Sequence, residues 1–305
     1  MNNRYTRRQF GTIALAAVPA AGLLGTPRSA RGLALAAIDS RIKGVRIGAI
    51  TYSFRAISDA NAIVTAMAQI GLGEAELMSN HAEALAGAPA GRGATEALAT
   101  WRQSTSPETW KPVRRKFDDA GIQLRLLCFN MNVRTTSDAD IEYAFTMAKA
   151  LGVEAISTST QVSMAKRIAP FADKHRMRVA YHGHANVTDP DEVATPASFA
   201  TCLSHSKYHA MNLDIGHFTA AGFDAVAFLK EHHAKITNLH LKDRQTPANG
   251  GANVPWGQGD TPIKEVLQLL SREKWDIPAN IEFEYPGDPL VEVPKCFQFC
   301  RDALA

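Results

Sequence analysis

From Val45 onward, short apolar or β-branched runs alternate with longer amphipathic stretches. Eight runs stand out: VRIGAITYSF (45–54), EAELMS (74–79), QLRLLCFN (123–130), EAISTST (154–160), RVAYHGH (178–184), MNLDIGH (211–217), ITNLHLKD (236–243) and NIEFEYP (280–286). Between them lie stretches with apolar positions at helical spacing. Examples are DADIEYAFTMAKALG, in which Gly152 is a C-cap candidate, and DAVAFLKEHH. Strand and helix repeated eight times predict an α/β fold, a single-domain (β/α)8 TIM barrel. An open doubly wound sheet is the competing topology, but no G-x-G-x-x-G turn follows the first run, where a dinucleotide site would place it.

Two connections are longer than the rest. Residues 81–110 are rich in Gly and Ala and predict an irregular excursion over the barrel mouth; residues 244–260, RQTPANGGANVPWGQGD, form a second rim loop. A barrel places chemistry at the C-terminal ends of its strands, so the residue types found there carry the functional reading.

Composition changes the picture mainly at the N-terminus. Of 33 basic residues, Arg4, Arg7, Arg8, Arg28 and Arg31 fall within 1–36, which hold no Asp or Glu. The twin arginines, the apolar segment behind them and the small-residue ALA before Ala37 read as a twin-arginine export signal. The barrel is then expected over 37–305, in a periplasmic or secreted protein exported already folded. The apolar segment is short for a membrane span, so no stable span is expected after leader cleavage. Without the leader, 28 basic face 30 acidic residues, a formal charge of −2, which is poor material for a nucleic-acid surface. Cys128, Cys202, Cys296 and Cys300 show no C-x-x-C spacing and read as buried thiols.

Polar residues gather at the ends of runs five to eight. In VAYHGHAN, His182 and His184 stand one residue apart on one face. In MNLDIGHF, Asp214 and His217 end the apolar run, with Gly216 permitting close backbone approach; Asp214 is either a ligand or a helix cap. In ITNLHLKD the period of two sets Asn238, His240 and Lys242 on one face and turns Leu239 and Leu241 outward. Glu282 and Glu284 share a face too, where like charges repel unless a cation lies beside them; Glu284 could pair with Lys242 or Arg244. Glu76 and Glu154 are weaker candidates that could be solvated strand-end carboxylates. Mixed imidazole and carboxylate donors suit Mn²⁺, Zn²⁺, Fe²⁺ or Co²⁺ better than Ca²⁺.

The pieces IGAITYSFR, LDIGHF, NLHLKD, WGQGD and IEFEYPG resemble the xylose isomerase-like barrels that include sugar phosphate isomerases and epimerases. The resemblance implies a divalent metal held by a Glu from strand five, an Asp from strand six, a His from strand seven and a Glu from strand eight. Carried over, these are Asp214, His240 and Glu282, with His182 where the first Glu is expected, and His217 as a substrate contact or acid/base. The YHGH pattern is more similar to the branch with inosose dehydratases and keto-sugar lyases than to the ketose epimerases.

The combined expectation is a metal-dependent sugar isomerase, epimerase or lyase that abstracts a proton α to a metal-bound carbonyl of a sugar or keto-sugar. The metal, Mn²⁺ first, is expected on His182, Asp214, His240 and Glu282. His217, His184, Lys242 and Glu284 are expected around the substrate. An endonuclease IV-like nuclease and a non-catalytic sugar-binding barrel are the alternatives, the first disfavoured by charge and location.

Overall fold

The computed structural model describes residues 36–90 and 95–305; the expected leader, apart from Ala36, lies outside them. Eight parallel strands form the barrel: β1 (Val45–Ile50), β2 (Glu74–Met78), β3 (Gln123–Cys128), β4 (Ala155–Thr158), β5 (Arg178–His182), β6 (His209–Asp214), β7 (Ile236–Leu241) and β8 (Ala279–Ile281). Each pairs with the next, and β1 pairs with β8 through Gly48 and Asn280 to close the ring. The two-residue strand Arg41–Ile42 runs antiparallel to β1. The expected single-domain TIM barrel is the fold.

Local sequence explains the segments. Apolar and β-branched residues alternate along the strands with inward polar ones, among them Glu76, Asn212, Asn238 and Asn280. The run expected to continue β1 to Phe54 turns instead into a 3-10 helix, Thr51–Phe54. The helix after β3, Asp138–Leu151, starts on a capping box in which Ser137 Oγ accepts from Asp140 N at 3.1 Å. It stops at Gly152 with φ of 68°, as the sequence led us to expect. Helices after every strand pack Trp110, Val113, Phe117, Phe145, Leu267 and Leu270 against the outside of the barrel, all essentially inaccessible to water.

The excursion expected to be irregular over 81–110 is largely helical, with helices Ser79–Leu85 and Thr95–Ser104 and the start of Pro107–Asp119. Its alanines favour helix, and Ser106 followed by Pro107 starts the last of these. Arg102 ties its two parts together through Glu83 at 2.7 Å and anchors them to the helix after β3 through Asp140 at 3.3 Å. The 244–260 loop is tied down from within. The Asp243 carboxylate accepts from the backbone N–H groups of Gly257 at 2.7 Å and Gly259 at 3.1 Å.

Gly216 carries out the close approach expected of it: a Cβ there would sit 2.5 Å from the Lys242 carbonyl oxygen. Gly216→Ala must push the helix Ile215–Ala220 away from β7. We expect a loss of roughly 1–3 kcal/mol, several degrees in melting temperature, read by thermal unfolding.

Candidate active site

The C-terminal ends of β5 to β8 converge on a cavity of about 310 Å³ whose lining includes His182, His184, His217, His240, Lys242 and Glu282. Beneath it the barrel interior is polar where such barrels are commonly apolar. At its centre Glu76 on β2 is wholly buried. Its carboxylate accepts from Asn238 Nδ2 at 3.1 Å, Asn280 Nδ2 at 2.8 Å and the Ser157 hydroxyl, and it lies 2.8 Å from His240 Nε2. Glu76 is thus no solvated strand-end group. Glu154 is one, but at the other end of the barrel: it begins its strand and ion-pairs with Arg125.

Glu76 determines how His240 is protonated. A carboxylate only accepts, so Nε2 carries a hydrogen toward Glu76 and Nδ1 one toward Glu282; Nδ1 is the nitrogen that would lose its proton to ligate a metal. Nδ1 faces Glu282 Oε2 at 3.0 Å. Although burial opposes charge on His240, Glu76 and Glu282 together raise its pKa well above the ordinary histidine value. His182 is the reverse: burial, with His240 beside it, holds its pKa well below the ordinary value, so it is a neutral imidazole.

Asp214 is a helix cap whose second carboxylate oxygen could ligate a metal. Its Oδ1 accepts from His217 N at 2.7 Å, capping the helix Ile215–Ala220. Its Oδ2 is buried without a hydrogen-bond partner among the described residues. Lys242 Nζ lies 3.1 Å from that oxygen and 3.0 Å from Glu282 Oε2, and it also contacts Glu284. Burial raises the Asp214 carboxyl to about 7 against the opposing pull of Lys242. Glu282 goes the other way: burial disfavours its charge, but Lys242 and His240 hold its pKa well below the carboxylate range. Glu284 pairs with Lys242, the alternative foreseen for it, at the more exposed edge of the group.

His182, Asp214, His240 and Glu282 each present one donor atom within 4.8 Å of the others. Asp214 Oδ2 is buried without a hydrogen-bond partner among the described residues, and His182 Nε2 lies 4.0 Å from it. A neutral imidazole and carboxylate oxygens converging on one locus are what a divalent transition metal satisfies, and Glu76 behind His240 supplies the carboxylate–histidine support typical of such sites. The residues present therefore fit the metal.

His184 and His217 complete the cavity on its solvent side, with ring centroids 5.2 Å apart. Each has one nitrogen committed. His184 Nδ1 meets the Glu192 carboxylate, so it carries the hydrogen and leaves Nε2 as a lone pair; His217 Nδ1 meets the Arg244 guanidinium, which only donates, so its hydrogen is on Nε2. His184 is built as a proton acceptor and His217 as a hydrogen-bond donor. Burial, with Lys242 second, holds the His217 pKa well below the ordinary value. Sequence reasoning missed Glu192. It lies in an irregular loop eight residues past His184, and no spacing rule connects the two.

The sequence profile of the xylose isomerase-like TIM barrels matches residues 82–302. The chain belongs to this family. Among solved structures, the probable 3-DHS dehydratase AsbF of Bacillus anthracis is similar at 16% identity, with 85% of this chain and 97% of that one covered and a TM-score of 0.59. A sugar phosphate isomerase/epimerase from Parabacteroides distasonis also matches at 16% identity, over 89% and 99% of the two chains, with a TM-score of 0.61. IolI protein with a bound zinc atom matches at 13% identity over 85% and 96%, with a TM-score of 0.61. At these identities the likeness is one of fold. No curated protein sequence matches significantly.

Proposed function

We propose that this xylose isomerase-like barrel is a divalent-metal-dependent sugar isomerase, epimerase or lyase that removes a proton next to a carbonyl of a sugar or keto-sugar. The observation that carries the reading is His184, backed by Glu192, facing the same cavity as His182, His240 and Glu282 of the cluster they form with Asp214. A divalent ion in that cluster, Mn²⁺ before Zn²⁺, Co²⁺ or Fe²⁺, supplies Lewis acidity that polarises a carbonyl and acidifies the adjacent C–H.

The chain's own residues do the rest. His184 Nε2 takes the proton, and Glu192 behind Nδ1 stabilises the resulting imidazolium and fixes the ring. His217 Nε2–H donates to a substrate oxygen, positioned by Arg244. Lys242 offsets the charge of Asp214, Glu282 and Glu284, which would otherwise repel one another in a buried site. Because His182 replaces the carboxylate expected on β5, the two faces of a bound sugar meet unlike groups. This asymmetry favours a reaction in which one group removes a proton and another assists departure or return.

Arg7–Arg8 and the apolar stretch behind them support export by the twin-arginine route, which places the activity in the periplasm. The formal charge of −2 over residues 37–305 supports a small sugar rather than nucleic acid as substrate.

The test is incubation of Mn²⁺-loaded protein with free ketohexoses and 3-keto-glycosides in D₂O. We expect deuterium at the carbon next to the carbonyl, lost on chelation and restored by Mn²⁺. Deuterium without a fragment identifies an isomerase or epimerase, and release of a fragment identifies a lyase. Neither outcome on any sugar removes the enzymatic reading in favour of a binding barrel.

A further inference from the structure

We infer that the site continues into a second, polar compartment that holds a further sugar unit, so that the substrate is a glycoside of at least two units. The inference rests on the reading of the main cavity as a sugar site and specifies what fills the space beside it.

A second cavity of about 260 Å³ shares Asn130, Ser159 and His184 with the main one. It is formed by the loops that follow β3, β4 and β5, on the catalytic face of the barrel. The main cavity, at about 310 Å³, is at the small end of ligand pockets and suits a single sugar ring. His184 stands at the junction, where the linkage of a two-unit ligand would pass.

The second compartment's polar groups are oriented for a ligand. Asn130 Oδ1 accepts from Ser159 N at 2.9 Å, Asn132 Oδ1 from Arg134 N at 2.9 Å, and Gln161 Oε1 from Val133 N at 3.0 Å. A backbone N–H claims each amide oxygen, which fixes which way round the amide sits and leaves its NH₂ end to donate. Thr160, only 7% exposed, has a hydroxyl with no hydrogen-bond partner among the described residues. A buried orphan of this kind costs stability unless a ligand completes it. The Glu192 carboxylate adds an acceptor on the same wall. Neutral donors, a hydroxyl and one acceptor match the alternating donors and acceptors of a sugar ring. Among the described residues the lining holds no Lys or Arg, which favours a neutral sugar over a phosphate or nucleotide.

The experiment is a saturation-transfer NMR titration of Mn²⁺-loaded full-length protein with glucose and, separately, with trehalose, maltose, cellobiose and sucrose. We expect at least one disaccharide to bind about tenfold or more tighter than glucose. Gln161→Ala and Asn132→Ala are each expected to reduce that advantage about fivefold, the worth of one hydrogen bond. Both positions are half-buried, and circular dichroism checks the fold. The inference is overturned if every disaccharide binds no tighter than glucose, or if Gln161→Ala weakens glucose and disaccharide equally. Deuterium exchange on a free ketohexose without disaccharide preference leaves the proposed reaction standing and removes the second subsite. A preference sensitive to Gln161 without exchange on any sugar does the opposite.

Discussion

Glu282→Gln is expected to abolish Mn²⁺ retention and to lower proton exchange by about a thousandfold or more, with the barrel still folded. The substitution keeps the shape of the side chain and removes only its charge. In the folded protein Glu282 Oε2 lies 3.0 Å from both Lys242 Nζ and His240 Nδ1, so it is the acceptor on which the two cationic groups of the cluster meet. A neutral amide is a poor ligand for a hard or borderline cation, and loss of the metal forfeits several kcal/mol of carbonyl polarisation, hence the size of the expected rate effect. Folding should survive because Lys242 keeps Asp214 and Glu284 as counter-charges. Elemental analysis of the purified variant gives the metal content, deuterium exchange gives the rate, and circular dichroism gives the fold. Full metal content with normal exchange would move the ligand role from Glu282 to Glu284. The companion variant Glu284→Gln, at the partly exposed edge of the cluster, is expected to cost about tenfold or less.

The parts of this site that were legible in the sequence share one property: they lie where an apolar strand pattern stops. Asp214, His240 and Glu282 are each the last or near-last polar residue on the inward face of a strand, so period-two counting and the rule that barrels work at their C-terminal ends find them without coordinates. The same rule separates Glu154 from the site, because it stands at the start of its strand and meets Arg125 at the opposite end. Two kinds of information were not legible. One is contact across the barrel: Glu76 and His240 are 164 positions apart and meet only because the ring closes. The other is contact made by irregular loops. Glu192 reaches His184, and Arg244 reaches His217, through backbone paths that no periodicity describes. These hidden partners assign the histidines their roles, because they decide which nitrogen carries hydrogen. The helices within 81–110 were hidden for a different reason: Gly and Ala in the segment suggested a loop, while Ser106–Pro107 and the run of alanines favour helix.

Glu76 is the residue at which stability and metal affinity should come apart. Glu76→Ala leaves the amides of Asn238 and Asn280, the Ser157 hydroxyl and His240 Nε2–H without their shared acceptor, all in a region closed to water. Stranding several buried donors at once should cost about 3–5 kcal/mol, on the order of 10 °C in melting temperature for a domain of this size. Glu76→Gln is different. Its Oε1 can still accept from Asn238, Asn280 and His240, and its NH₂ can donate to Ser157 Oγ, so hydrogen bonding is conserved and the melting temperature should change by only a few degrees. What the Gln variant lacks is the negative charge behind His240 Nε2–H, the element that raises the basicity of Nδ1. Removing a group that supports a metal-binding histidine in this way lowers metal affinity by about 10–100-fold. A Mn²⁺ titration followed by electron paramagnetic resonance, beside a thermal melt, reads both effects. Wild-type affinity in Glu76→Gln would make the buried carboxylate a packing element of the barrel and nothing more. A well-folded variant with weakened Mn²⁺ binding would mark Glu76 as the group that prepares His240 for the metal.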